Sequence, residues 1–434
     1  MKILVVGSGA REHALIQSFA TDPSVTELHG APGNAGIGAQ AQLHALDVAD
    51  AGAVAHLATD LGVDFVVIGP EVPLVAGAAD AVRAAGIACF GPSAQAATLE
   101  ASKAFAKQVM HAANVPTARA GATTSLDTAI VMIDEFGAPH VVKDDGLAAG
   151  KGVVVTNDRT AAIDHARECV EKENGRVVIE DYLDGPEVSL FCVTDGVTVV
   201  PLQPAQDFKR VGDDDAGPNT GGMGAYTPLP WAPSDLVKQV VEQVAQPTID
   251  EMARRGTPFA GLLYVGLAMT SAGMRVVEFN ARFGDPETQV VLAQLKSPLA
   301  GLLHAAATGT LSDHPALQWH DGAAVTVVIA AENYPGTPTT GDPIDGIDSA
   351  EALPDVRVLH AGTTTNADGQ VVSSGGRVLS VVARGANLDV ARARAYQAVD
   401  LIKLRGSHYR TDIAAAAARG ELHLASDVYP GVSQ

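Results

Sequence analysis

A carboxylate and an amide lie two positions apart at the end of an apolar run in the central part of the chain. The run starts at Met274 and ends with Glu278 and Asn280. Side chains two apart on a β-strand share one face, so we expect these oxygen donors to project together. Hard oxygen donors suit Mg²⁺ that carries a nucleotide polyphosphate. Acidic pairs are also common on strands that bind no metal, so this prediction depends on the other motifs.

A second candidate is the glycine-rich segment 143–152, which reads Lys-Asp-Asp-Gly-Leu-Ala-Ala-Gly-Lys-Gly. Glycines such as Gly146 let backbone amides approach phosphates closely, and Lys143 and Lys151 would neutralise the phosphate charge. The segment is not a P-loop, because the glycine spacing differs and no Ser or Thr follows Lys151. The alternative is an ordinary glycine hairpin without a ligand.

The segment 180–187 leaves a predicted strand and is rich in acids. A hinge of this kind can offer backbone groups to the edge of an adenine, and Glu187 could bind ribose hydroxyls. The alternative is a set of solvated turn acids.

A third candidate combines the tetrapeptide Asp207-Phe208-Lys209-Arg210 with the loop 218–224. Two adjacent cations and a glycine-rich loop suit a substrate that carries a carboxylate or a phosphate. Long loops in compact domains are usually functional or disordered, and we favour the functional interpretation over an exposed mobile loop. The loop residues of interest are Asn219, Gly221 and Gly222.

The N-terminal segment Gly7-Ser8-Gly9-Ala10-Arg11-Glu12 lies between a predicted strand and a predicted helix, whose free N–H groups could bind an anion. A dinucleotide fingerprint needs a third glycine where this chain has Glu12. A single phosphate or a small polar ligand therefore fits better than NAD, and a tight turn without a ligand is the remaining alternative.

The elements that must position these groups follow from the apolar pattern. Strands that alternate with helices, and that end in Gly or Pro, predict a parallel sheet in the first part of the chain. We divide the chain into an N-terminal domain (1–103), a central block (104–324) with a small α+β lid (117–190), and a β-rich C-terminal domain (325–434). The predicted strands are 1–6, 64–68, 87–90, 141–143, 152–155, 177–180, 325–331, 356–360 and 378–383, and the predicted helices are 11–20, 94–113, 161–173 and 388–401.

The composition favours α/β layers and excludes several partners. Apolar residues make up 47% of the chain but aromatic residues only 4%. The net charge of −21 argues against nucleic acid and anionic membranes, which need a basic surface. Cys89, Cys169 and Cys192 form no metal pattern and no disulfide framework, so we expect them in the core. With no apolar run long enough for a membrane span and no signal segment, we expect a cytoplasmic protein.

These motifs together resemble the glycinamide ribonucleotide synthetase family, ATP-grasp ligases of purine biosynthesis. The resemblance extends from Lys2 to about Asp412 in consistent order. It is carried by GSGAREHAL, APGNAG, VIGPEVPLVAG, FGPSAQAATLEASKAFAK, DGLAAGKGV, QDFKRVGDDDAGPNTGGMGAY, EFNARFGDPETQ and SSGGRVLSV.

The resemblance implies a fold and a nucleotide site. The expected fold is an N-terminal doubly wound, biotin-carboxylase-like domain, then an ATP-grasp block with its lid, then the C-terminal domain. ATP should lie between lid and block. The matched positions are Lys103 and Lys143 at the phosphates, Glu180 and Leu183 at the adenine, Glu187 at the ribose, and Glu278 and Asn280 at Mg²⁺ (or Mn²⁺).

The resemblance also implies that ATP activates glycine as glycyl phosphate, which 5-phosphoribosylamine then attacks to give glycinamide ribonucleotide, ADP and phosphate. Arg282 would screen charge between the anions. We expect small-molecule substrates only, and a monomer or weak homodimer. The other expected substrate-side residues are Asp207, Lys209, Arg210, Asn219, Gly221, Gly222 and Asp285, with Gly9 and Arg11 near the ribosylamine or its phosphate.

Three alternatives remain: another ATP-grasp carboxylase or formyl-transferring enzyme, a nicotinamide-dependent oxidoreductase, and a non-catalytic nucleotide-binding module. The chain departs from the family pattern at Asp144, where alanine is usual, and in a shortened segment at 171–175. The first change adds a carboxylate near the phosphate loop, and the second affects the mobility expected of the lid.

Overall fold

The computed structural model describes residues 1–147, 152–424 and 428–429. The N-terminal part is a five-stranded parallel sheet of order β3-β2-β1-β4-β5 with helices on both faces. The strand order reverses between β1 and β4, and ligands of such sheets bind beyond the strand ends at that point. Its elements are β1 (Lys2–Gly7), α1 (Ala10–Ala20), β2 (Glu27–Pro32), β3 (Gln42–Leu43), α2 (Ala51–Leu61), β4 (Phe65–Ile68), α3 (Glu71–Val75), α4 (Ala78–Ala84), β5 (Ala88–Phe90) and α5 (Ala94–Ala101).

The lid is a four-stranded antiparallel sheet of order β6-β9-β7-β8 covered by two helices. The expectation of one lid helix was wrong: the segment from Leu126 is also helical. The predicted helix 94–113 is two helices, because the Ser102 hydroxyl accepts the Phe105 N–H at 3.1 Å and starts a new one. The elements are α6 (Lys103–Ala112), β6 (Ala120–Thr123), α7 (Leu126–Phe136), β7 (His140–Asp144), β8 (Val153–Thr156), α8 (Arg159–Val170) and β9 (Val177–Glu180).

The central block contains an antiparallel sheet of order β11-β10-β16-β17. Glu278 pairs with Gly266 and Asn280 with Tyr264 across β16 and β17, which confirms the predicted strand. A π-helical turn, Val241–Ala245, joins α9 to α10. The elements are β10 (Glu187–Asp195), β11 (Val199–Pro201), β12 (Gln206–Asp207), β13 (Arg210–Gly212), β14 (Ala216–Asn219), β15 (Gly224–Thr227), α9 (Leu236–Val240), α10 (Gln246–Arg254), β16 (Ala260–Thr270), β17 (Gly273–Asn280), α11 (Glu287–Gln294) and α12 (Leu299–Thr308).

The C-terminal sheet has the order β12-β15-β18-β22-β19 and takes two of its strands from the central block. β15 pairs antiparallel with β18, so the sheet continues across the boundary expected at residue 324. The helix predicted over 388–401 is present with those bounds. The elements are β18 (Ala323–Ala330), α13 (Ile347–Glu351), β19 (Val356–His360), β20 (Thr363–Thr365), β21 (Val371–Ser373), β22 (Arg377–Gly385), α14 (Leu388–Leu401) and α15 (Ala415–Ala418).

One apolar core joins these parts, since Leu4, Val188 and Val325 belong to the same buried cluster. A small separate core lies inside the lid, between α7, α8 and its sheet. The three cysteines are buried and free, as predicted. In the described part of the chain, no helix has the length and hydropathy needed to cross a membrane.

Candidate functional site

Glu278 and Asn280 lie at the end of β17, and the Asn280 amide nitrogen is 3.5 Å from a Glu278 carboxylate oxygen. Burial acts to raise the pKa of Glu278, but the ammonium groups of Lys209, Lys143 and Lys103 hold it below its usual value. The pair therefore offers an ionised carboxylate and an amide, a hard-oxygen set that fits a divalent cation completed by phosphate oxygens and water. No group of three or more His, Cys, Asp or Glu side chains in the described ranges forms a metal cluster.

Lys143 is 5% exposed and bonds to Glu180 at 2.9 Å and to the Val277 carbonyl at 3.3 Å. Lys107 approaches the other Glu180 oxygen at 3.3 Å, and burial lowers the pKa of Lys107 to about 8. The Glu180 carboxylate is thus held by two lysines, so any adenine contact of this residue must come from its backbone. Lys107 was not predicted from the sequence, although it lies one helical turn after Lys103 on α6 and so shares its face.

Lys103 fixes the start of the glycine-rich segment. Its ammonium donates to the carbonyls of Asp144 at 2.8 Å and Gly146 at 2.9 Å. This cation lies between α6 and the lid, where the phosphates were expected. Lys151, the other predicted loop cation, lies outside the described residues.

The two departures from the family pattern compensate each other. The Asp144 carboxylate bonds to Lys172 at 2.5 Å, and Lys172 belongs to the shortened segment. This hydrogen bond raises the pKa of Lys172. The added carboxylate therefore has its ion-pair partner on the lid itself. Among the described residues, it makes no contact with the ammonium groups of Lys103 or Lys143.

The hinge between lid and central sheet is held at Gly185, whose φ is +84° and whose Cα lies tightly against the Met269 carbonyl. An added Cβ would be 2.1 Å from that oxygen. Among the described residues, neither backbone polar group of Leu183 has a hydrogen-bond partner. Leu183 can therefore offer both groups to a ligand edge, as expected for adenine.

Glu187 does not stand alone as a ribose ligand, because it forms an ion pair with Lys209. Burial opposes the charge on Lys209, but Asp207 and Glu187 raise its pKa well above the usual value. Burial, with added repulsion from Glu287 and Glu187, raises the pKa of Asp207. The carboxyl groups of this cluster outnumber its single cation, so it favours an incoming metal ion or ammonium group. Its members are Asp207, Glu187, Glu287 and Lys209.

Arg210 is the predicted residue that the structure does not bring to this cluster. Its guanidinium donates to the Gly217 carbonyl at 2.9 Å inside the β13–β14 hairpin. Asn219 pairs with Arg210 across that hairpin. The sequence placed Arg210 beside Lys209, but consecutive side chains on extended backbone point to opposite faces.

Gly221, Gly222 and Asp285 converge on Arg377, which begins β22. One guanidinium nitrogen of Arg377 is 2.6 Å from the Gly221 carbonyl and 2.8 Å from that of Asp285. Burial acts to raise the pKa of Asp285, but Arg377 and Arg11 keep it below its usual value. The Asp285 carboxylate is therefore ionised beside the glycine loop.

The N-terminal loop also lies beside Asp285, because a Cβ added to Gly9 would be 3.4 Å from an oxygen of the Asp285 carboxylate. Arg11 bonds to Glu12 at 2.5 Å and to the Phe283 carbonyl at 3.0 Å, which joins the N-terminal part to the central block. Glu12 is 1% exposed and accepts the Gly9 N–H at 2.6 Å. Its carboxylate fills the space where a dinucleotide pyrophosphate would lie, so the geometry opposes the nicotinamide alternative.

Arg282 is held by two carboxylates of the N-terminal part, Glu71 at 3.2 Å and Glu100 at 3.1 Å. Burial opposes its charge, but these carboxylates raise the pKa of Arg282. The Arg282 side chain is 19% exposed, and these two ion pairs hold its positive charge in place just after β17.

Beside Glu278 and Asn280 lies a buried hydrogen-bond network that was not predicted from the sequence. Glu287 accepts hydrogen bonds from Ser189 at 2.9 Å and from Tyr264 at 3.0 Å. Glu287 is 3% exposed. The sequence signals were the closeness of Glu287 to the end of β17 and the polar residues inside the apolar runs of β10 and β16, which the pairing of those strands brings together.

Comparisons with known proteins identify the family of the chain. The phosphoribosylglycinamide synthetase family matches over three domains: its N domain at residues 1–100, its ATP-grasp (A) domain at 101–288 and its C domain at 324–416. The phosphoribosylamine–glycine ligase of Streptomyces coelicolor is 65% identical over 420 residues, which cover 96% of this chain and 100% of that protein. The enzyme of the same name from Mycobacterium tuberculosis is 58% identical over 97% of this chain and 100% of its own length.

Solved structures show the same fold. The crystal structure of phosphoribosylamine–glycine ligase from Thermotoga maritima superposes with a TM-score of 0.82 at 30% identity, covering 95% of this chain and 100% of that one. The biotin carboxylase domain of a Hydrogenobacter thermophilus 2-oxoglutarate carboxylase has a TM-score of 0.74 at 15% identity, over 94% and 91% of the two chains, which shows likeness of fold alone. This chain therefore belongs to the phosphoribosylglycinamide synthetase family of ATP-grasp ligases.

Proposed function

We propose that the chain joins glycine to 5-phosphoribosylamine with ATP, through glycyl phosphate, to give glycinamide ribonucleotide, ADP and phosphate. The observation that carries the proposal is the ionised Glu278, next to Asn280, within the field of three lysines. An anionic metal site surrounded by cations suits a metal-bound polyphosphate. The names of the relatives support the choice of substrates.

ATP would bind between the lid and the central sheet. Lys103, Lys143, Gly146 and Lys151 would hold its phosphates, and Leu183 its adenine. Glu180 would position Lys143 and Lys107, and Glu187 would reach the ribose while it shares Lys209. Mg²⁺ is the expected metal, with Mn²⁺ as an alternative; when bound at Glu278 and Asn280 it screens charge on the transferred phosphate.

The first step forms a bond between a glycine carboxylate oxygen and the γ-phosphorus, and ADP leaves. Both reactants are anions, so the fixed charges of Arg282 and Lys143 lower the repulsion. In the second step the ribosylamine nitrogen bonds to the acyl carbon, and the bond to phosphate breaks. The nitrogen loses a proton, for which Asp207 with its raised pKa is a suitable acceptor.

Gly9, Arg11, Gly221, Gly222, Asn219 and Asp285 would hold the ribosylamine end, where the N-terminal loop meets the glycine loop. Arg210 would act on the substrate only indirectly, through the hairpin. We expect a monomer or weak homodimer in the cytoplasm.

The test is release of ADP by the purified protein with Mg²⁺ and ATP. We expect ADP only when glycine and 5-phosphoribosylamine are both supplied, together with glycinamide ribonucleotide in equal amount. Robust turnover with bicarbonate or formate in place of glycine would overturn the assignment.

A further inference from the structure

Arg377 has an unusual set of partners for a residue far along the chain from the rest of the site. The same guanidinium nitrogen lies 2.6 Å from the Gly221 carbonyl, 3.3 Å from that of Gly222 and 2.8 Å from that of Asp285. It is also 3.3 Å from a carboxylate oxygen of Asp285. These contacts converge on one nitrogen of a planar guanidinium, so this one side chain holds the two segments in a fixed relation.

Tyr334 holds the same loop from a second direction. Its hydroxyl accepts the Gly221 N–H at 2.9 Å. A Cβ on Gly376 would be 2.3 Å from the Tyr334 ring, so the ring lies directly on the glycine before Arg377. A Cβ on Gly221 would be 3.0 Å from the Arg377 Cζ. Glycine at both positions therefore permits the close approach of loop, ring and guanidinium.

The loop that they hold leads directly to Lys209. Both the N–H and the hydroxyl of Thr220 donate to the Lys209 carbonyl, at 2.7 and 2.9 Å. Gly222 in turn donates its N–H to the Thr220 hydroxyl at 2.9 Å. A displacement of Gly221 or Gly222 would thus be passed to Lys209, in the short segment between β12 and β13.

We propose that Arg377 and Tyr334 are positioning residues of the C-terminal part that fix loop 219–222 against Asp285 and so set the geometry of the ribosylamine end of the site. The assignment of this end to the ribosylamine rests on the proposed function. Among the described residues, neither side chain contacts Glu278, Asn280 or the lysines near the lid. The clamp formed by Arg377 and Tyr334 therefore acts directly on the acceptor end and reaches the nucleotide end only indirectly, through the backbone of Lys209.

The experiment compares Arg377→Lys, Arg377→Ala and Tyr334→Phe with the wild type. In Arg377→Lys the KM for 5-phosphoribosylamine should rise about tenfold while the KM for ATP changes less than about twofold, because the shorter, more flexible lysine cannot hold its donor at the position of the planar guanidinium nitrogen. Tyr334→Phe keeps the ring but loses the acceptor, so it should show a smaller rise of roughly threefold in the same constant. Methylguanidinium should restore part of the Arg377→Ala activity.

Arg357→Ala is the matched control, since it removes one exposed arginine from β19 of the same sheet and its side chain donates only to the neighbouring Val356 carbonyl among described contacts. It should leave all three Michaelis constants unchanged. Equal rises of the ATP and ribosylamine constants in Arg377→Lys, or no change in either, would overturn the proposal.

Hydrogen exchange gives a readout independent of catalysis. The amides of Thr220, Gly221 and Gly222 should exchange at least about tenfold faster in Arg377→Ala than in Arg357→Ala. Unchanged exchange would refute the clamp even in an active enzyme. A wild type without ligase activity would instead refute the proposed function, while the exchange result would still decide whether the clamp exists.

Discussion

Glu278 keeps its charge because of its surroundings. Three lysines, with a hydrogen bond from Asn280, hold its pKa below the usual value in spite of burial. Glu278→Gln removes that charge while keeping the shape, so kcat should fall by more than about tenfold and the Mg²⁺ requirement should rise. Steady-state rates over a Mg²⁺ titration measure both effects.

The control is Glu168→Gln, which changes a carboxylate that is 76% exposed on α8. It should behave like the wild type. If Glu278→Gln kept normal activity and normal Mg²⁺ dependence, the metal assignment would be wrong.

Lys143 supports a different prediction, because it bridges Glu180 and the backbone of β17. Lys143→Ala removes a cation that we propose for the ATP phosphates and leaves Glu180, among the described residues, with Lys107 alone, so the KM for ATP should rise by roughly tenfold or more. Lys238→Ala, which removes a cation 74% exposed on α9, is the matched control. An unchanged KM for ATP and unchanged kcat would assign Lys143 to structure alone.

At the scale of single residues, the sequence predicted the contacts that depend on short-range spacing along the chain. Glu278 and Asn280 share a strand, so period-two geometry sufficed to pair them. The ion pair of Glu187 with Lys209 and the contacts of Arg377 with Gly221 join residues brought together only by the tertiary fold. Glu187 was therefore predicted from the sequence only as a ribose ligand.

Among the elements, the hinge after β9 makes the sharpest prediction. Gly185 combines a φ of +84° with a Cβ position 2.1 Å from the Met269 carbonyl. Gly256 has a similar φ of +79° and nothing within 4 Å of its Cβ position. Gly256→Ala should lower the free energy of unfolding by about 1 kcal/mol. Gly185→Ala should lower it by about 2 kcal/mol more, because the Met269 carbonyl must move away from the added Cβ.

Urea unfolding of the two variants measures this difference. Gly185→Ala should also raise the KM for ATP, since the hinge sets the lid against the central sheet. Equal losses of stability in both variants would show that the backbone can relax at Gly185 without cost.

The errors at the scale of elements have local physical causes. The segment 94–113 contains no Gly or Pro, so a break at Ser102 was visible only in the capping potential of its hydroxyl. The helix from Leu126 contains Ile130, Val131 and Ile133, which locally favour strands. Its apolar face is stabilised by the lid core, which the sequence does not reveal directly.

For the whole molecule, a histidine pair joins the first helix to the last sheet. The Nδ1 atom of His13 accepts a hydrogen bond from the backbone N–H of His360 at 2.8 Å, and the centroids of the two rings lie 5.6 Å apart. Burial, with repulsion from His360, lowers the pKa of His13 to about 3. Burial lowers the pKa of His360 to about 4. The unfolded chain binds protons at these sites below about pH 6.5, so stability is lost as pH falls from there towards 4 and 3.

His360→Gln should therefore make stability less dependent on pH. The loss of unfolding free energy between pH 7 and pH 5 should shrink by about 2 kcal/mol relative to the wild type. Urea unfolding at the two pH values tests this, with His56→Gln as the control, since His56 is 80% exposed. An identical loss in wild type and His360→Gln would mean that the pair titrates normally in the folded state.

The sequence predicted the order of the parts and the parallel first sheet, because alternating strands and helices leave a regular pattern. It did not predict that β12 and β15 would join the C-terminal sheet. The pairing of strands that are distant in sequence depends on long-range packing, which no local pattern reveals. In addition, β15 has only four residues, Gly224–Thr227, which is too short for a clear strand pattern.

That shared sheet has a consequence for synthesis on the ribosome. Residues 224–227 emerge well before their partners at 324–327, so the growing chain carries a strand edge without its neighbour for most of that interval. Unpaired edges recruit other chains. A messenger truncated near codon 324 would therefore yield a product prone to aggregate, and slow translation of this stretch would increase the need for chaperones.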